Sequence, residues 1–203
     1  MSPSMNESPE AHQERGEGNG ARHPQESNGV GLNSLPTQNG GQTSLLARDA
    51  TNSLAVIGNL ENTDVILILA PYVPQVSGDP DDTSDPFEWL GRALESRHSR
   101  IRHRPYDNNS GITGIHRQFI TQSKVIILVL ADGDAAGQTP QINVEHAHVT
   151  VATAGDDKRV IIVVADSSLE SWRRLDDFPT VIQAADYSPA SLERTVSVIF
   201  REF

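Results

Sequence analysis

The chain contains no cysteine, which excludes disulfides and thiolate metal sites and fits a reducing compartment. Basic charge is scarce. Sixteen Lys and Arg stand against 27 Asp and Glu, for a formal net charge of −11. That balance argues against a nucleic-acid binder, which normally carries a basic face. It also argues against electrostatic attachment to an anionic membrane. No apolar run nears the ~20 residues that span a bilayer; the longest, residues 125–131, has seven. The opening "MSPSMNESPEAHQERGEGNG" lacks the basic start and apolar core of a signal peptide. The expectation is a soluble, cytoplasmic protein. There is no "GxxxxGK" and no "GxGxxG" after an apolar run, which argues against ATP binding and Rossmann-type dinucleotide binding. The absence of "GxSxG" argues against an α/β-hydrolase.

Aromatic residues make up only 5% of the chain, and residues 1–50 hold none. That stretch instead contains seven Gly, four Pro and five Asn. Such a segment buries too little apolar surface to offset the entropy of ordering it. Residues 1–50 are therefore predicted to be a disordered, low-complexity tail. Its "NGVGLNSLPTQNGGQTSL" tract fits either a solvated linker or a self-assembly segment. The more apolar "TSLLARDATNSLAVIGNL" (43–60) suggests a short helix or strand against the domain. Residues 51–61 form a linker or packed segment, and the folded domain occupies 62–203.

From residue 64 the pattern becomes regular. "DVILILA" (64–70), "KVIILVLA" (124–131) and "RVIIVVA" (159–165) are short β-branched apolar runs, as expected of strands buried on both faces. "RIRHRPY" (100–106) reads as an edge strand and "TVIQAA" (180–185) as a last strand. Between them lie helical patterns at 85–97, 111–122, 141–155, 168–175 and 188–203. Asp85 with Pro86, and Ser188 with Pro189, provide cap-then-proline starts. Ile115, Phe119 and Ile120 are the apolar positions of the second helix, and Gly155 closes the third.

Five strands alternating with helices predict a three-layer, doubly wound parallel sheet, flavodoxin-like in order, 2-1-3-4-5. Ligands bind such sheets beyond the carboxyl ends of the strands, where strand order reverses. The walls would be the loops after Ala70 and Ala131. Glu145, one turn into the helix that leaves the third strand, would lie beside that crevice.

The order of elements over residues 62–203 resembles a Toll/interleukin receptor (TIR) domain. "DVILILA" stands at that family's opening strand. "PYDNNSGITGIHRQFITQSKVIILVLAD" is similar to its second strand, glycine-bearing BB loop, next helix and third strand. "DFPTVIQAADYSPASLERTVSVIF" is similar to its closing strand and helix. The usual Ser-Tyr or Ser-His after the first strand is replaced by Ala70-Pro71-Tyr72. The Trp-Cys that often precedes the helical glutamate is absent, with Asn143-Val144 in its place. The loop "DGDAAGQTPQ" with Glu145 beyond it also resembles nucleoside deoxyribosyltransferases.

Both families place a glutamate on this helix, working at the anomeric carbon of a ribosyl group. The resemblance thus implies an NAD glycohydrolase with Glu145 as catalytic carboxylate and NAD as substrate, with no resident cofactor. It also implies association between copies through TIR–TIR contacts. Tyr72 would stack on the base or nicotinamide, Asp132 would hydrogen-bond a ribose hydroxyl, and Gly111 would let the BB loop turn. The structural alternatives are a first-turn charge suiting the helix dipole for Glu145, packing for Tyr72 and a loop cap for Asp132. A non-enzymatic association module is the competing function, and deoxyribosyl transfer a third.

Three other patterns carry less. "GDPDDTSDP" (78–86) lacks the glycine and distal glutamate of a calcium loop. His146 and His148 are two apart on a helix and cannot chelate one metal there. "RHSRIRHR" (97–104) is a basic patch on an acidic chain, suited to dinucleotide phosphates or an acidic partner.

Overall fold

The computed structural model describes residues 44–73, 84–131, 140–165 and 175–202. The chain divides between Asn39 and Gly40 into two units, and all described residues belong to the second. In chain order these are β1 (Leu45–Asp49), α1 (Ser53–Ile57), β2 (Ile66–Pro71), α2 (Glu88–Glu95), β3 (Ile101–Tyr106) and α3 (Gly114–Gln122). There follow β4 (Val125–Leu130), α4 (Pro140–Ala154), β5 (Arg159–Ala165), β6 (Thr180–Ala184) and α5 (Pro189–Ile199). The predicted helix at 168–175 lies almost wholly outside the described residues.

The strands form one six-stranded mixed sheet in the order β1-β6-β5-β4-β2-β3. β2 pairs in parallel with β3 and β4, β4 with β5, and β5 with β6. β1 runs antiparallel along β6. This corrects the expected five-stranded, wholly parallel sheet. It also moves the start of the folded part before the residue-50 boundary. The composition of the flanking tail hid a strand that spans only "LLARD".

Long-range polar contacts hold β1. Arg48 Nη1 donates to the carbonyls of Leu175, Asp176 and Phe178 at 3.0, 2.8 and 3.0 Å, and Nη2 pairs with the Asp176 carboxylate at 2.8 Å. Asp49 accepts from the Ser53 N–H at 2.7 Å, from the Thr180 hydroxyl at 3.1 Å and from Arg201 at 2.9 Å. One carboxylate thus caps α1 and joins it to β6 and to the residues after α5.

Strand alternation sends side chains to two separate cores. Ile66, Ile68 and Ala70 face one, with Leu54 and Ile57 of α1, Phe87 beside α2, Leu90 and Leu94 of α2, and Leu192, Val196 and Ile199 of α5. Leu67 and Leu69 face the other, with Ile120 of α3 and Ala147 and Ala154 of α4. Helices therefore cover both faces, which is why β2 and β4 read as unbroken apolar runs. Ser188 caps α5 through its side chain, with Pro189 following. Asp85 instead accepts from the Phe87 N–H at 2.8 Å, so the turn it caps precedes α2.

The apolar face of α3 is corrected too. Ile115 is exposed, while His116 and Ile120 are buried. The His116 ring takes the inward position because it is fully bonded there: Nδ1 accepts from the Thr113 N–H at 3.1 Å and Nε2 donates to the Pro105 carbonyl at 3.2 Å.

Candidate functional site

β2 lies between β3 and β4; α2, which follows β2, packs in one core and α4, which follows β4, in the other. Sheets wound in this way receive ligands beyond the carboxyl ends of the strands where their connections part. Tyr72 is the first residue past β2. Its N–H donates to the Tyr106 carbonyl at 3.0 Å, while its side chain is 64% exposed. Among the described residues, then, the ring is left largely uncovered.

The segment after β3 is a tight, internally bonded turn. The Asp107 carboxylate accepts from the N–H groups of Asn109 and Ser110, both at 2.8 Å. Those bonds, from Ser110 first, hold its pKa below the ordinary carboxylate value. The Gly111 N–H returns to the Asp107 carbonyl at 2.7 Å. Gly111 has φ of +61°, and a Cβ there would lie 2.7 Å from His146 Cε1. Both the left-handed backbone and the close approach require glycine.

His146 joins this turn to α4. Its Nε2–H donates to the Asn108 carbonyl at 3.0 Å, and its ring meets Tyr106 edge-on, with centroids 5.4 Å apart. Tyr106 is buried and donates its hydroxyl to the Val129 carbonyl of β4 at 3.0 Å. Burial pushes its phenol pKa well upward, so it stays a neutral donor. The Oδ1 of Asn108 is buried and has no hydrogen-bond partner among the described residues. An open acceptor of this kind is uncommon in a folded interior.

Glu145 precedes His146 on α4 and is exposed. α4 begins at Pro140, and its first turn contains no acidic residue. The dipole effect fades beyond that turn, so it does not account for Glu145. The fold thus sets Gly111 against the immediate neighbour of Glu145 and ties Tyr72 to the same array through the backbone of Tyr106. Asp132 lies outside the described residues.

Sequence reading passed over His146, Tyr106 and Asn108. His146 was weighed only as a metal ligand, and no group of residues able to hold a metal occurs among those described. His148 turns away to stack on Phe178, with centroids 4.9 Å apart. The available signal was the alternation in "EHAH", which sends one histidine to each side.

A pocket of about 210 Å³ opens elsewhere, between the β1–α1 turn and the start of β5, lined by Thr51, Ser53, Gly155, Lys158 and Arg159 among others. It lies towards the amino ends of the strands, and neither Tyr72, Gly111 nor Glu145 lines it. Among the described residues no helix is long and apolar enough to cross a membrane.

No family model matches the chain, and no curated protein matches it. Among solved structures it is similar to the fungal multi-domain GH3 beta-N-acetylglucosaminidase described with a GCN5-related glucosamine N-acetyltransferase region. The TM-score is 0.60 at 20% identity, over 79% of this chain and 16% of that one. It is also similar to a glycoside hydrolase family 3 beta-N-acetylglucosaminidase from Paenibacillus sp., with a TM-score of 0.54 at 17% identity, over 79% of this chain and 28% of that one. The chain therefore spans less than a third of either structure. At these identities the likeness is one of fold.

Proposed function

We propose that this chain is a TIR-like NAD glycohydrolase, acting in the cytoplasm and activated by association between copies. The observation that carries the reading is the place of Glu145. It is an exposed carboxylate on α4, past the reach of the helix dipole, beside the histidine that clamps the β3–α3 turn. The parallel strands β3-β2-β4-β5-β6 are compatible with a flavodoxin-like order, which supports a ligand crevice beside that helix.

The chemistry suits a carboxylate. As the bond between nicotinamide nitrogen and ribosyl carbon breaks, its electron pair goes to the nitrogen and neutralises the cationic ring. Positive charge then develops on the sugar, and the Glu145 carboxylate stabilises or traps it. Water adds to the anomeric carbon and loses a proton, giving nicotinamide and ADP-ribose. In this reading Tyr72 stacks on the nicotinamide, Gly111 allows the turn to approach α4, and Asp132 holds a ribose hydroxyl.

A second reading, a non-enzymatic association module, is favoured by a different observation. Tyr72, Trp89 and Ile115 are large apolar side chains left 64%, 51% and 61% exposed, each just past a strand end or on the first turn of the following helix. Nucleoside deoxyribosyl transfer is a third. Incubating NAD with concentrated protein and separating the products distinguishes them. Nicotinamide that accumulates in proportion to enzyme supports the first reading. Its absence at every protein concentration overturns it, and base exchange on a 2′-deoxynucleoside in the same vessel would favour the third.

A further inference from the structure

The crevice reading leaves unused the basic stretch of β3. The even-numbered residues of this strand turn their backbone groups to β2: the Ile66 N–H donates to the Arg100 carbonyl and the Tyr72 N–H to the Tyr106 carbonyl, both at 3.0 Å. The groups of Ile101, His103 and Pro105 therefore point away from β2, at an edge that pairs with no other strand among those described. Two of these groups are occupied, since the Pro105 carbonyl accepts from His116 and the His103 carbonyl from Arg104. The N–H and carbonyl of Ile101 and the N–H of His103 remain.

The side chains of Arg100, Arg102 and Arg104 share one face of the strand, spaced by the ~7 Å of two strand residues. Arg102 and Arg104 both lie over the ring of Phe119 on α3, at 5.7 and 4.4 Å from its centroid. This cation–π support holds the guanidinium groups in place. Arg117, on the same helix, is exposed as well. None of these four cations has a carboxylate within ion-pair distance among the described residues. His103 points to the opposite face, where it meets Asp85 at 3.6 Å. In a chain of net charge −11, four cations at this strand and the helix beside it, with no ion pair among the described residues, form a local feature of opposite sign to the rest.

We propose that the β3–α3 face is a docking surface for an extended acidic peptide of a partner protein. Carboxylates at alternate peptide positions repeat at the same ~7 Å as the three arginines, and the free groups of Ile101 and His103 take a short run of backbone pairing. A nucleic acid fits less well. It has no use for the strand edge and finds Phe119 already covered by arginine. An anionic membrane likewise makes no use of the strand edge.

The test is a fluorescence anisotropy titration of the full chain with a labelled peptide of alternating Thr and Glu. An alternating Thr and Lys peptide, a single-stranded oligothymidine and phosphatidylserine vesicles serve as comparisons. The expected result is saturable binding of the acidic peptide alone, weakened by added salt. Arg102→Glu with Arg104→Glu should weaken it by about tenfold or more, with a cooperative melt retained, while the paired Lys substitutions keep most of it. Should the double reversal fail to fold, Arg100→Glu, exposed ahead of the strand, gives the same comparison. Absence of saturable peptide binding, binding indifferent to the reversals, or preference for the oligonucleotide or vesicles would overturn the proposal.

Discussion

Asp49 carries more of the structure than its position in the sequence suggests. Its side chain is 6% exposed and it serves the N–H of Ser53, the hydroxyl of Thr180 and the guanidinium of Arg201. Asp49→Ala should cost roughly 2–4 kcal/mol, the sum of a lost cap and stranded partners, read from denaturant unfolding. A loss below about 0.5 kcal/mol would show that water replaces the carboxylate without penalty. None of this was legible locally, because two of its partners lie 131 and 152 residues away. His103 makes a second test. Burial lowers its pKa from 6.5, and the Asp85 carboxylate offsets this only in part. Below about pH 6.5 the unfolded chain then binds more protons than the folded one, so the His103 contribution is lost as pH falls. Melts at about pH 7 and 5 should show a smaller acid loss in His103→Gln than in wild type. An equal loss would place the acid sensitivity elsewhere.

At the scale of elements, β2, β4 and β5 were plain in the sequence because strands covered on both faces need uninterrupted apolar residues. α5 was equally plain from its cap and proline. α3 was misjudged at Ile115 because a histidine bonded at both ring nitrogens took the inward place that a hydrophobic pattern gives to isoleucine. α4 was read with a first-turn glutamate, whereas its start at Pro140 puts Glu145 in the second turn. Among the described side chains of α4, Thr150 is fully buried and its hydroxyl has no partner. Replacing it with an isosteric apolar side chain removes that penalty, so Thr150→Val should stabilise the fold by about 1 kcal/mol. A destabilisation on chemical denaturation would mean that the hydroxyl is satisfied in solution, for instance by a buried water.

For the whole molecule, the added strand β1 turns the amino-terminal segment from an accessory into part of the sheet. A chain starting at residue 52 loses the Arg48 contacts to the 175–178 turn and the Asp49 hub. Taking that as about 3 kcal/mol, the melting temperature should fall by roughly 6–12 °C, whereas a chain starting at residue 44 should melt as the full chain does. Equal melting of both would mean that β1 adds nothing to the sheet. The two-sided packing and the succession of strands followed from local patterns alone. The antiparallel edge did not, because "LLARD" is too short to stand out from the polar stretch around it. The histidine clamp between α4 and the β3–α3 turn was not legible, since His146 meets Asn108 across 38 residues.

The central claim is that Glu145 acts at a ribosyl carbon, and its direct test compares Glu145→Gln with wild type for nicotinamide release from NAD. The side chain is exposed and beyond the first turn, so the glutamine variant should fold with stability within about 0.5 kcal/mol of wild type. The neutral amide cannot offset positive charge developing on the sugar, so release should fall by about 10²-fold or more. Wild-type and Glu145→Gln proteins releasing nicotinamide at the same rate would contradict the account.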